Sequence, residues 1–173
     1  YLTRGKNSPF YKVIVEEKKL APNVGMFNGS SELAGDIQLS VRAFADKDLD
    51  DVAKAIDEAF ARFERDGIPQ KDLDRIKAGL ETQFYSGLSS VLGKGVQLTQ
   101  CNMFAGDPGC IEREINGTLA VTTGDVKRVY EKYIKGKNYV ATSFVPKGKL
   151  ALALDGSTMA EVVEEKIVQG AET

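Results

Sequence analysis

Histidine is absent from all 173 residues, and tryptophan with it. The missing imidazole excludes more chemistry. Histidine is the commonest metal ligand and the side chain whose charge ordinarily switches near neutral pH. Without it neither a Ser-His-Asp nor a Cys-His nucleophile can be assembled, and a zinc site of the usual hydrolase kind lacks its ligands. Cysteine is scarce too, with Cys101 and Cys110 the whole supply. Two are too few for a disulfide framework, and their separation fits no C-x-x-C metal or redox motif. Both are therefore expected to be ordinary structural thiols, Cys110 being the more reactive because it opens a short helix.

No apolar run approaches the roughly 18 residues that would span a bilayer, and the start "YLTRGKNSPF" has no signal-peptide h-region. The chain is expected to be soluble, without membrane insertion. It begins at Tyr1 rather than at a methionine, so loss of a preceding segment is expected and the compartment stays open. Strong charge of either sign is missing as well: 23 Lys and Arg face 25 Asp and Glu, a net charge of -2. No nucleic-acid partner is expected from so balanced a surface.

The acidic residues that are present do not converge. Glu16/Glu17, Asp50/Asp51 and Glu164/Glu165 are sequence neighbours, which point in different directions on a helix and read as solvated faces. Gly93 and Gly95 in "LGKGVQ" lack the spacing of a P-loop or of G-x-G-x-x-G. Catalytic, cofactor-binding and metal-ligating residues are accordingly all expected to be none.

Local grammar is clearer. Ser8 before Pro9 is a strong helix start, and Phe10, Val13 and Ile14 follow helical spacing until Pro22 stops it. Val24 to Ser30 reads as a strand. In "DIQLSVRAF", Ile37, Leu39, Val41 and Ala43 alternate with polar residues, so a half-buried antiparallel partner is expected. Asp48 caps a helix with the stripe Leu49, Val52, Ile56, Phe60 and Phe63, stopped at Gly67. Pro69 opens another, carrying Leu73, Ile76, Leu80, Phe84 and Leu88, with a kink or break expected among Gly87, Gly93 and Gly95. Asp107 and Pro108 start a short helix with Ile111 and Ile115. Thr122 and Asp125 form a capping box before Val126, Val129, Tyr130 and Tyr133. Residues 139–145 are β-branched and aromatic and read as a strand, and "LALAL" as a second short one. An amphipathic stretch from Ser157, with Met159, Val162, Val163 and Ile167, is a helix or the start of a linker.

Two strands, several helices, then strand is the order of an α+β fold, a two-layer domain with a mostly antiparallel sheet and helices on one face. Because a lone hairpin cannot support so many helices, the sheet is expected to lack its first strand and helix.

Several stretches taken together resemble the insulinase (pitrilysin) family of zinc metallopeptidases, and more closely its non-catalytic domain. They are "GKNSPFYKVIVEEKKLA", "DLDDVAKAIDEAFARFERDGIPQKDLDRIKAGL" and "VTTGDVKRVYEKYIKGKNYVATSFVPKG", which are similar to a helix start, a helix pair and a closing helix and strand of that domain. The resemblance implies residues 1–150 as an inactive peptidase-type domain of the metallopeptidase (processing-peptidase) fold, with 151–173 a final strand and connector toward a downstream half. It implies a chamber-forming role in peptide proteolysis, with peptide substrates and the catalytic domain of the same polypeptide as partners. Cofactors in this chain are none; zinc belongs to the parent's catalytic domain, in a His-x-x-Glu-His motif that is missing here. Relatives often offer substrate an Arg and a Tyr from the non-catalytic side. Their positions fall near Val15 and Pro22, so this chain has neither. The alternatives are a non-peptidase structural or interaction subunit related to such peptidases and, with only the glycines in its favour, a small-molecule binding module. The residues carry no address, and the resemblance leans to the bacterial periplasm or cell envelope.

Overall fold

The computed structural model describes residues 1–160. Ser8 is buried and its hydroxyl accepts a 3.3 Å hydrogen bond from the Tyr11 amide, the capping role its position before Pro9 predicts. The helix that follows widens into a π-helix over Tyr11–Glu17, closed by the Lys18 amide donating to the Val13 carbonyl at 3.0 Å. Lys19 then takes a left-handed conformation at φ 51° and turns the chain into the first strand.

Strands β1 (Val24–Ser30) and β2 (Gly35–Val41) pair antiparallel, from Val24 opposite Val41 to Ser30 opposite Gly35. Val24, Met26, Leu39 and Val41 share the inward face. Burial fades along it: Val24 is buried, Leu39 is half-buried, and Ile37, nearer the turn, is 41% exposed. The hairpin therefore stands on the core by its base.

Asp48 caps α1 (Leu49–Asp66) by accepting from the Asp50 amide at 2.9 Å, and Gly67, at φ 67°, ends it. Against α1 lie Phe10, Val13 and Ile14 of the π-helix, together with Leu20, Ala21 and Val24, on Val52, Ala55 and Ala59. Leu39, Val41 and Ala43 pack at the edge of this core, as their alternation predicts. The buried stripe of α1 is centred on Val52, Ala55, Ala59 and Phe63, so the expected Ile56 and Phe60 sit at its margin.

The second core joins Phe63, Ile68 and Leu73 of α2 (Gln70–Gly87) to Tyr130 of α5 (Thr123–Tyr133). Thr122 and Asp125 form both bonds of the expected capping box. Val126 and Ile134 border this core, whereas Val129 and Tyr133 are exposed. The expected break falls after Gly87, and Gly93 and Gly95 instead lie within α3 (Val91–Ala105). Gly93 is needed there because a Cβ would strike the Gly87 carbonyl oxygen. Pro108 to Cys110 make a 3-10 turn capped by Asp107, leading into α4 (Ile111–Ala120).

Both late strands are corrected. Residues 139–145 are irregular, with Tyr139 85%, Val140 89% and Phe144 90% exposed, and Leu150–Leu152 form a 3-10 turn. Their composition suits a sheet, but β1 and β2 make the only sheet among the described residues, and a strand needs a neighbour to pair with. Instead, the Leu154 amide donates to the Ser143 hydroxyl at 3.3 Å and the Asp155 amide to Asp50 at 2.9 Å. Val162, Val163, Ile167, the Glu164/Glu165 pair and most of the expected connector lie outside the described residues. The architecture is α+β, mostly helical, with one small antiparallel sheet.

Candidate functional site

Glu17 and Glu58 are engaged with cations. Arg62 donates to both Glu17 oxygens, at 2.7 and 2.8 Å, and lies 3.9 Å from Glu58, which also takes Lys18 at 2.8 Å. These bonds from Arg62 hold the Glu17 carboxyl below its ordinary pKa. Glu16 is exposed beside it. Asp50 receives the Asp155 amide, and Asp51 stands 3.7 Å from Lys54. A general acid must hold a proton at the working pH and an efficient general base needs a pKa near it, so a carboxylate with a lowered pKa and both oxygens taken by a guanidinium is poorly suited to either task.

Around the second core, the Tyr130 hydroxyl donates to Glu64 at 2.7 Å, and Lys135 donates to the other Glu64 oxygen at 2.8 Å. Burial, then the bond to Glu64, raises the Tyr130 pKa well above the ordinary phenol range. Asp125 is held at about 2, first by the Thr122 hydroxyl and then by the Thr122 amide and Arg128. The Glu64 contacts tie α1 to α5 and the residues just after it, whereas those of Asp125 cap α5 itself.

Between α2 and α3 lies an open groove of about 480 Å³, lined by residues including Phe84, Leu88, Leu92 and Val96. None of its lining residues is charged. The Gly93 amide donates to the Ser90 hydroxyl at 3.0 Å, so the Gly93 and Gly95 region is spent on capping α3 and presents no ring of free amides to a phosphate.

The two cysteines overturn the expectation of free thiols: Cys101 and Cys110 form a disulfide, with their Cα atoms 5.5 Å apart. Gly106, left-handed at φ 63°, ends α3, and the Asp107-Pro108 turn brings the chain back across its last turn. Spacing alone does not reveal this, because the reversal depends on how that turn folds. The same reversal gathers Cys101, Cys110 and Glu114, whose ligating atoms lie within 4.8 Å of one another. The overlooked signal is a pair of i,i+4 spacings, Gln97/Cys101 and Cys110/Glu114, on either side of a turn.

Val15 and Pro22 are far from equivalent. Val15 lies in the π-helix, half-buried against the first core, whereas Pro22 is exposed between Ala21 and the start of β1. Neither brings a polar side chain to the surface.

Residues 1–80, comprising the π-helix, the hairpin, α1 and the first part of α2, match the family model described as the peptidase M16 inactive domain. That match makes the N-terminal part of the chain similar to an M16 inactive domain. The match covers two of the three stretches that carry the resemblance, "GKNSPFYKVIVEEKKLA" and "DLDDVAKAIDEAFARFERDGIPQKDLDRIKAGL", and the third, at residues 121–148, lies outside it. The chain is also similar in fold to a candidate zinc protease from Bordetella pertussis Tohama I, known from a crystal structure. That likeness has a TM-score of 0.66 at 18% sequence identity, and covers 82% of this chain and 80% of the other. It therefore speaks for the fold. No curated protein matches the sequence.

Proposed function

We propose that this chain is a chamber-forming, non-catalytic domain of a zinc metalloendopeptidase acting on peptides. The observation that carries the reading is the match of residues 1–80 to the M16 inactive domain. In this reading residues 1–150 are the inactive domain and 151–173 the connector, and the catalytic domain of the same polypeptide holds zinc and cleaves the peptide. The catalytic zinc does not fit here, because the chain has no histidine. Val15 and Pro22, in place of Arg and Tyr, argue against direct help to the transition state, leaving confinement and orientation of the peptide as the contribution. The Cys101–Cys110 disulfide favours an oxidising compartment, in keeping with the periplasm or cell envelope.

The test measures zinc content and peptide turnover side by side in the complete peptidase and in a form lacking residues 1–150. Zinc binding is expected to persist while turnover collapses. Full turnover by a folded deletion form would overturn the chamber role. A complete protein with no zinc-dependent turnover at all would favour a structural subunit instead. Val15→Ala is expected to alter turnover only as far as it alters folding, because Val15 packs against the core.

A further inference from the structure

Two helices each aim an i,i+4 pair at one point. From α3 come Gln97 and Cys101, and from the turn and α4 come Cys110 and Glu114. Cys101 and Cys110 are 1% and 2% exposed, while Glu114 faces solvent. One Glu114 oxygen lies 3.4 Å from the Cys110 sulfur. The other accepts from Gln97 Nε2 at 2.8 Å, and the same nitrogen lies 4.0 Å from the Cys101 sulfur. Gln97 thus orients the carboxylate beside the two sulfurs.

We propose that the reduced form of this cluster is a binding site for a soft divalent cation of the zinc class, with the Cys101 and Cys110 thiolates and the Glu114 carboxylate as ligands. This site is separate from the catalytic zinc of the proposed function and goes beyond the expectation of no metal ligands in the chain. Reduction by a dithiol breaks the S–S bond. Two electrons and two protons pass from the dithiol, which becomes a disulfide, to the two sulfurs. The cation then displaces those two protons into solvent.

Thiolates select soft cations, and two thiolates with one carboxylate leave a fourth, tetrahedral position for water on the exposed side. Zinc-bound thiolates, each about 2.3 Å from the metal, stand roughly 3.8 Å apart, a separation that side-chain rotation can reach from the observed backbone. Two buried thiolates beside a carboxylate are costly without a compensating cation, so the ion favours the deprotonated set. Gln97 supplies the outer hydrogen bond that fixes a ligating carboxylate. The pair then has two closed states, a disulfide under oxidising conditions and a metal clip under reducing ones, each tying α3 to α4.

The experiment uses the full 173-residue chain. It is reduced with dithiothreitol, freed of reductant without oxygen, and titrated with cadmium while the ultraviolet thiolate-to-cadmium charge-transfer band is recorded. Helix content is followed by circular dichroism. The band is expected to saturate at one ion per chain and to be displaced by zinc. It should be missing from the oxidised chain and from Cys101→Ser, and Glu114→Gln should weaken binding at least about ten-fold. No stoichiometric band, unchanged affinity in folded Glu114→Gln, or reduction that melts α3 and α4 without recovery on adding cadmium would each overturn the site. Peptide cleavage is not the readout, so failure here leaves the chamber reading standing.

Discussion

Tyr130 shows how one side chain can join two elements and make their union sensitive to pH. Its ring meets Phe63 edge-on at 4.9 Å, and its hydroxyl donates to Glu64 on α1, which Lys135 also holds. Burial and the carboxylate disfavour the phenolate in the folded state, so the folded pKa is raised. With the folded value above the unfolded value of about 10, this contribution is fully present below pH ~10 and lost as pH rises beyond it. Tyr130→Phe keeps the ring contacts and is expected to cost about 1 kcal/mol at neutral pH. Thermal melts from neutral to strongly alkaline pH should then show a shallower decline in the variant; parallel curves would remove Tyr130 as the source. The disulfide closes a loop with a sequence separation of 9, so Cys110→Ser is expected to lose about 2 to 3 kcal/mol in the oxidised chain. An unchanged midpoint in denaturant would contradict that. Residue roles set within three positions, as at Ser8, Asp48 and the Thr122 box, were legible because the cap and its amide belong to one turn. The cysteine pair was not, since its partners meet only after the Gly106–Pro108 reversal.

At the scale of elements, periodicity revealed which face is buried but not how deeply. The alternation in β2 correctly assigned Leu39 and Val41 inward, yet Ile37 lies on the same face beyond the reach of α1. Ala59, fully buried, is the stricter position. Ala59→Asp is expected to cost on the order of 3 to 5 kcal/mol through an uncompensated buried charge, whereas Ile37→Asp should remain within about 1 kcal/mol. Chemical denaturation of the two variants checks the contrast, and equal losses would mean that the hairpin tip also carries the core. The widened first helix was invisible in advance, because Phe10, Val13 and Ile14 suit ordinary α spacing equally well. Residues 139–145 misled for another reason: β-branched and aromatic composition reports a preference for packing, and strand formation also requires a partner. The absent histidine was the one feature of the candidate site readable without any fold, while the cluster at Cys101, Cys110 and Glu114 required the fold.

For the molecule as a whole, exposed area is the informative quantity. A compact monomer of 18.8 kDa exposes roughly 8,300 Å². This chain exposes 13147 Å², including the apolar side chains of Tyr139, Val140 and Phe144. Under the proposed function, a chamber wall would contribute such surface to its neighbours. Since Phe144 is 90% exposed, Phe144→Asp should leave the melting midpoint of the isolated chain nearly unchanged, within about 0.5 kcal/mol. In the complete peptidase the same change places an uncompensated charge where the neighbouring domain would pack. On the proposed reading turnover should therefore fall while bound zinc stays constant, because that reading puts the catalytic zinc ligands in another domain and the change would disturb only its alignment with this one. Thermal melts of the chain, with zinc content and peptide turnover of the complete peptidase, decide the matter. A destabilised chain would show that Phe144 supports this domain's own core, and unaltered turnover would remove residues 139–145 from the domain interface.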